Sequence, residues 1–257
     1  MAYEHITVDR DGPTVTITMN RPERRNALSV EHLGELLEAF RAAGEGDATG
    51  VVLAANGPVF SAGHDMAAMA GADLGEMRHL LRTCTEVMDT MQAIGQVVIA
   101  RVHGIATAAG AQLVAAADLA VASESARFAA PGGKGGWFCT TPMVAIGRSV
   151  VRKRALELSL TGDEIDATTA LDWGLVNRVV ADADLDDAVA ALLARATRGS
   201  AASRALGKHA LYTQLSMSQP DAYQYAIEVM ASASQLHDAQ EAMAAFVEKR
   251  APSWQHR

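Results

Sequence analysis

Two short segments carry the residue types best suited to chemistry: "VFSAGHDM" (59–66) and "HGIATAAGAQL" (103–113). Each follows an apolar run and places small residues in a turn, the second one opening a helix. Such a turn leaves backbone N–H groups unpaired and pointed outward, which suits an anionic oxygen. Two of them side by side supply two donors, the arrangement that stabilises an enolate or a tetrahedral oxyanion. One turn alone carries little weight, because most glycine-rich turns only redirect the chain. Within the first turn His64 titrates near neutral pH, and Asp65 beside it is the type of residue that caps a local turn. Within the second, Gln112 is an amide. It can orient water or substrate, but it takes up no proton at neutral pH.

The flanking patterns predict the elements that hold these turns. "YEHITVDRDGPTVTITMN" alternates around Asp11-Gly12-Pro13 and predicts a β-hairpin. In "NALSVEHLGELLEAFRAA" Ser29 is a candidate N-cap, and Leu33, Leu36, Leu37 and Phe40 form a helical apolar stripe. "GVVLAA" (50–55) suits a strand buried on both faces. Residues 73–93 place Leu74, Met77, Leu81, Cys84, Met88 and Met91 at helical spacing, so Cys84 reads as a small core residue. "QVVIARVHG" and "DLAVAS" predict two further strands. Strands alternating with helices imply an α/β domain with mostly parallel, wound units. After about residue 195 the strand signals stop and three helical patterns follow, which divides the chain into a core at 1–195 and a helical part at 196–257.

Bulk properties narrow the classes. The chain has 257 residues, enough for one large core, with 49% hydrophobic and 20% charged residues and a net charge of −8. No basic face for nucleic acid is advertised. No apolar run is long enough to span a membrane. The two cysteines, Cys84 and Cys139, make a disulfide framework unlikely and favour a reducing compartment. With no targeting pattern at the start, the expectation is a cytoplasmic protein.

In order along the chain, "NRPERRNALS", "GVVLAANGPVFSAGHDM", "VVIARVHGIATAAG", "ADLAVASESARFAAP", "LTGDEIDATTALDWGLVNRVV" and "AFVEKRAPSW" resemble the crotonase (enoyl-CoA hydratase/isomerase) superfamily over nearly the whole length. The resemblance implies a spiral of ββα units, a C-terminal helical trimerisation subdomain, assembly as a homotrimer or dimer of trimers, and an acyl-CoA thioester as ligand. No metal and no cofactor beyond the coenzyme A of the substrate is implied. The oxyanion hole falls on the amides of His64 and Ala109. The usual glycine triplet is replaced by Ala108-Ala109-Gly110, where a methyl disfavours positive φ. Ala62, His64, Asp65, Met66 and Ala67 correspond to the lining of the CoA arm, and Arg24 and Arg25 to phosphate contacts. Phe246 and Lys249 match positions that reach a CoA on the neighbouring subunit; on their own they read as a core aromatic and a helix-end cation. Cys139, in "WFCTTP", falls at the wall of the acyl chamber; a thiol there is a nucleophile only with a lowered pKa, and no partner is evident.

One departure from the family is chemical. Hydration of an enoyl thioester uses two glutamates in this family, and the corresponding positions are Gln112 and Gly132. Losing general acid–base help costs about 10²–10⁴-fold per group. Three readings follow: a hydratase or isomerase of fatty-acid metabolism, which the missing carboxylates oppose; a decarboxylase of a malonyl-type CoA, although Phe138 stands where a tyrosine is expected; and a non-catalytic acyl-CoA-binding protein. If the missing carboxylates are the sole obstacle, Gln112→Glu with Gly132→Glu restores hydration.

Overall fold

The chain begins as an antiparallel hairpin that turns at Gly12, with Ile6 opposite Met19 and Asp11 opposite Thr14. The computed structural model describes residues 3–257. The strands among them are β1 (Ile6–Asp11), β2 (Thr14–Met19), β3 (Gly50–Ala55), β4 (Val59–Ser61), β5 (Val97–Val102), β6 (Ile105–Thr107), β7 (Leu119–Ser123), β8 (Arg127–Ala129), β9 (Ile165–Asp166) and β10 (Arg178–Val180). The helices are α1 (Val30–Glu45), α2 (Met66–Met69), α3 (Leu74–Ala93), α4 (Ala109–Ala116), α5 (Pro142–Ser149), α6 (Arg152–Thr161), α7 (Ala167–Trp173), α8 (Leu185–Ala196), α9 (Ala201–Gln214), α10 (Gln219–Ala233) and α11 (His237–Glu248).

Two sheets run through the chain in step. One has the order β1-β2-β3-β5-β7-β10 and is parallel from β2 onward; the other has the order β4-β6-β8-β9. Three strands of the first sheet are each followed by a three-residue strand of the second and then by helix, as β3-β4-α2-α3, β5-β6-α4 and β7-β8-α5. This is a spiral of ββα units. It brings the turns that follow β4 and β6 together, because β4 and β6 are parallel neighbours.

The first sheet is covered on both faces at its centre, so β3 is buried at all six positions, while the edge strand β1 is exposed beyond Ile6. On one side Leu185, Val189 and Leu193 of α8 meet Val52, Ile99 and Val121. On the other, α1 and α3 join the main core. Ser29 caps α1, accepting from the His32 amide at 3.3 Å, and the expected stripe of Leu33, Leu36, Leu37 and Phe40 is buried. The stripe of α3 departs from expectation in its first turns. Leu74 is exposed and Leu80 and Val87 are buried, while Cys84, Met88 and Met91 lie in the core as expected. Asp73 and Glu76 form a capping box at the start of α3, which leaves Leu74 at the rim rather than in the core.

α9 is clamped to the core by a mostly buried ion pair. Lys208 Nζ lies 2.7 Å from Asp118 Oδ2 and also donates to the carbonyls of Met91 and Gln96 at 2.8 Å. Asp118 further accepts from the Val98 amide and the Tyr212 hydroxyl, so the carboxylate is fully bonded. Beyond this clamp the last three helices keep much apolar surface in solvent, including Ile227, Met230, Phe246 and Val247. Among the described residues no helix is long and apolar enough to cross a membrane.

Candidate functional site

The two small-residue turns touch. Gly63, at φ +83°, sits so close to the second turn that a Cβ there would lie 3.0 Å from the Ala108 Cβ, 3.0 Å from the Thr107 carbonyl oxygen and 3.2 Å from the Ala109 nitrogen. Glycine is required on both counts, conformation and space. Gly110 is constrained by space alone, since a Cβ would meet the Ser61 carbonyl at 2.4 Å. The Thr107 hydroxyl donates to the Ala62 carbonyl at 3.0 Å and ties the turns laterally.

Neither the His64 nor the Ala109 amide donates to another group among the described residues. Around His64 the Leu28 amide donates to the Gly63 carbonyl and the Asp65 amide to Leu28, which leaves the amide between them free. Ala109 is the first residue of α4, where the N–H has no intrahelical acceptor. Ala108 precedes it at φ +49°, ψ −116°, a conformation that glycine dominates. The substitution of alanine for glycine is therefore held in strain.

A cavity of about 660 Å³ opens beside these turns. Ala62, His64, Met66, Thr107 and Ala108 form one wall, and the loop from Pro131 to Pro142 forms another. Its size falls in the range of small-molecule sites. His64 is 9% exposed, and neither of its ring nitrogens makes a hydrogen bond. Burial holds the imidazole below its usual pKa, partly opposed by the nearby Leu28 backbone. Cys139 also lines the cavity, and burial raises its thiol, with the Gly132 backbone opposing in part. A raised thiol is the reverse of an activated nucleophile. Cys139 is wall. No Asp or Glu side chain is among the residues that line this cavity.

Gln112 lies elsewhere. It is 4% exposed, does not line the cavity, and its Oε1 faces Cys84 of α3 across 3.9 Å. Cys84 is buried and pushed up to about 12 by desolvation. Gly132 does border the cavity, yet a Cβ there would stand 2.1 Å from the Trp137 carbonyl oxygen and 2.7 Å from the Cys139 sulfur. The loop folds back on itself here, with the Trp137 amide donating to the Gly132 carbonyl at 2.9 Å. A glutamate at 132 has no room without a shift of the loop, so the double replacement is not expected to restore hydration. The obstacle is crowding by backbone, since Gly132 has no positive φ.

The remaining candidates separate. Asp65 caps α2, accepting from the Ala67 amide, and pairs with Arg21 at 3.5 Å; it and Ala67 are outside the cavity lining. Arg24 and Arg25 are exposed on the loop before α1, and the Arg25 carbonyl accepts from the Ala62 amide at 3.0 Å. Phe246 is 85% exposed, and Lys249 ends α11 in a left-handed conformation. Sequence reasoning missed Asn26. Fully buried at φ +51°, it donates to the Asn56 and Val59 carbonyls, accepts from the Arg21 amide, and its own carbonyl accepts from Ser61 Oγ. Asparagine is one of the few residues that enters this conformation readily. It fastens the arginine loop to the first turn.

Comparison with known proteins decides the family. The enoyl-CoA hydratase/isomerase family model matches residues 10–257. The chain belongs to the enoyl-CoA hydratase/isomerase family. It is 41% identical over 248 residues to the zebrafish mitochondrial enoyl-CoA hydratase domain-containing protein 3, covering 96% of this chain and 86% of that protein. Among solved structures it resembles a Mycobacterium smegmatis enoyl-CoA hydratase, with TM-score 0.95, 45% identity, and 98% of this chain and 99% of that one covered. The human enoyl-CoA hydratase domain-containing protein 3 matches with TM-score 0.94, 36% identity, and 98% and 100% coverage. These neighbours establish the crotonase fold expected from the motifs. The expectation of a cytoplasmic protein does not stand, because the zebrafish, rat and human relatives are all named mitochondrial.

Proposed function

We propose that this family member binds an acyl-CoA thioester with the thioester oxygen between the amides of His64 and Ala109, and that it serves acyl-CoA or fatty-acid metabolism without two-glutamate hydration. The observation that carries this reading is the contact of Gly63 with Ala108 and Ala109, which sets the free amide of His64, a residue of the cavity wall, close to that of Ala109, buried directly behind Ala108 of the same wall. Donors fixed in advance need no reorganisation as charge develops on the oxygen. Arg24 and Arg25 are the cations proposed for the CoA phosphates, through their planar donor forks. Phe246 and Lys249, exposed at the end of α11, are proposed to reach a CoA on a neighbouring copy, with residues 196–257 forming the contact between copies. Calorimetry with acetyl-CoA tests the binding, and absence of heat at millimolar ligand refutes it. Sedimentation tests assembly, for which a trimer or dimer of trimers is expected and a monomer refutes the role of the helical part.

A second reading concerns the reaction. A cavity without a carboxylate side chain favours loss of CO₂ from a malonyl-type CoA. There the carbon–carbon bond breaks, its electron pair enters the enolate, and the oxyanion hole carries the charge with no general base. Crotonyl-CoA hydration is expected orders of magnitude below an ordinary turnover of roughly 10 per second. Mass spectrometry of products from a panel of CoA thioesters distinguishes decarboxylation, hydration and simple binding.

A further inference from the structure

The cavity beside the free amides adjoins a second depression. Leu81 of α3 and Thr141 line it, and the same two residues line a neighbouring groove of about 380 Å³. None of the residues of the two small-residue turns lines that groove, so it lies beyond Leu81 and Thr141 as seen from His64 and Ala108. Its other walls are Arg78, Arg82, Thr85 and Glu86, one face of α3.

Arg78 and Arg82 stand one helical turn apart on that face and are exposed. Among the described residues neither makes an ion pair or a side-chain hydrogen bond. Glu86, the acid in the groove, faces Arg41 at 3.7 Å, and the Thr85 hydroxyl is turned back to the Leu81 carbonyl at 2.9 Å. Two guanidinium groups thus remain without an acceptor, in a chain whose net charge is −8. A helix face that only needs solvation draws on either sign of charge; a doublet of free arginines in a groove that adjoins a cavity is suited to an anion.

We infer that an acyl chain held in the cavity passes between Leu81 and Thr141 and that Arg78 and Arg82 bind a carboxylate at its far end, so that the preferred ligands are thioesters of α,ω-dicarboxylic acids. This rests on the acyl-CoA reading above. The guanidinium fork matches a carboxylate in two parallel hydrogen bonds. Because the site is open to solvent, the contribution is modest and screened by salt.

Calorimetry at low ionic strength with pairs of thioesters matched in length, one plain acyl-CoA and one carrying a terminal carboxylate, tests the inference along a series of chain lengths. At the length that reaches the arginines, the carboxylated partner is expected to bind about three- to fivefold more tightly, equivalent to about 0.6–1 kcal/mol. Arg78→Gln with Arg82→Gln is expected to abolish that preference and leave free CoA and plain acyl-CoA unchanged. Equal affinity at every length overturns the inference. So does a double variant that weakens free CoA as much as the dicarboxylic thioester, since the arginines then serve CoA phosphates. Failure of the unaltered protein to bind any CoA thioester removes the acyl-CoA reading itself, a result distinct from binding without preference.

Discussion

Replacing Ala108 by glycine removes a methyl from a backbone that disfavours it. A non-glycine residue held in a sparsely populated conformation costs about 1–3 kcal/mol, and Ala108 sits at φ +49°, ψ −116°. Two effects oppose the relief. Glycine makes the unfolded chain freer by about 0.4–1 kcal/mol, and a fully buried methyl is worth about 0.8 kcal/mol, of which the half-buried Ala108 realises part. The balance favours the variant by about 1 kcal/mol, which raises the midpoint of thermal unfolding by about 2 °C for a chain of this size. The Ala108 methyl also lines the cavity, so its loss widens the approach to the His64 and Ala109 amides. Scanning calorimetry with and without acyl-CoA measures both effects. A variant less stable than the parent by more than about 1 kcal/mol refutes the account of strain, because the methyl would then contribute more through packing than it costs in conformation.

Four further outcomes follow from the same structure. Gly132→Ala is expected to lose about 1–3 kcal/mol by overpacking against the Trp137 carbonyl, and Gln112→Glu to give no hydration of crotonyl-CoA because that side chain faces Cys84 in the core; denaturation and a hydration assay check them. Lys208→Met strands the Asp118 carboxylate among mostly buried neighbours and is expected to cost about 3–5 kcal/mol in urea unfolding. His32 is fully buried, and desolvation holds its imidazole down to about 4 against an ordinary 6.5, with the Ala27 carbonyl partly opposing. Its folded pKa is below the unfolded one, so its contribution is complete above 6.5 and is lost as pH falls towards 4. The loss amounts to about 3 kcal/mol. Urea unfolding across that window is expected to show a shallower pH slope in His32→Leu than in the parent; equal slopes refute the assignment.

Long elements were legible in the sequence because each has a period. The stripe on α1 and its Ser29 cap, the hairpin at Gly12 and the doubly buried β3 all follow from patterns of three residues or more that repeat. The strands β4, β6 and β8 have three residues each and show no period, yet they align the two turns. The motifs located those turns, and their contact at Gly63 became evident only in three dimensions. The same holds for the fate of the missing glutamates. Sequence identified Gln112 and Gly132 as departures, but the direction of the amide and the backbone crowding at 132 depend on tertiary neighbours remote from either motif. Asn26 escaped notice because its task is to satisfy carbonyls of two distant segments, for which no local pattern exists.

The central claim is that two backbone amides, at His64 and Ala109, hold a thioester oxygen. Infrared difference spectroscopy of the bound protein with acetyl-CoA labelled at the thioester carbonyl with ¹³C reads this bond directly, free of any side-chain substitution. Two donors polarise the carbonyl, so its stretch is expected at lower wavenumber than for the same thioester free in water, and the shift is expected to persist in His64→Ala, which keeps the amide. A bound thioester whose carbonyl stretch matches or exceeds the free value contradicts the account.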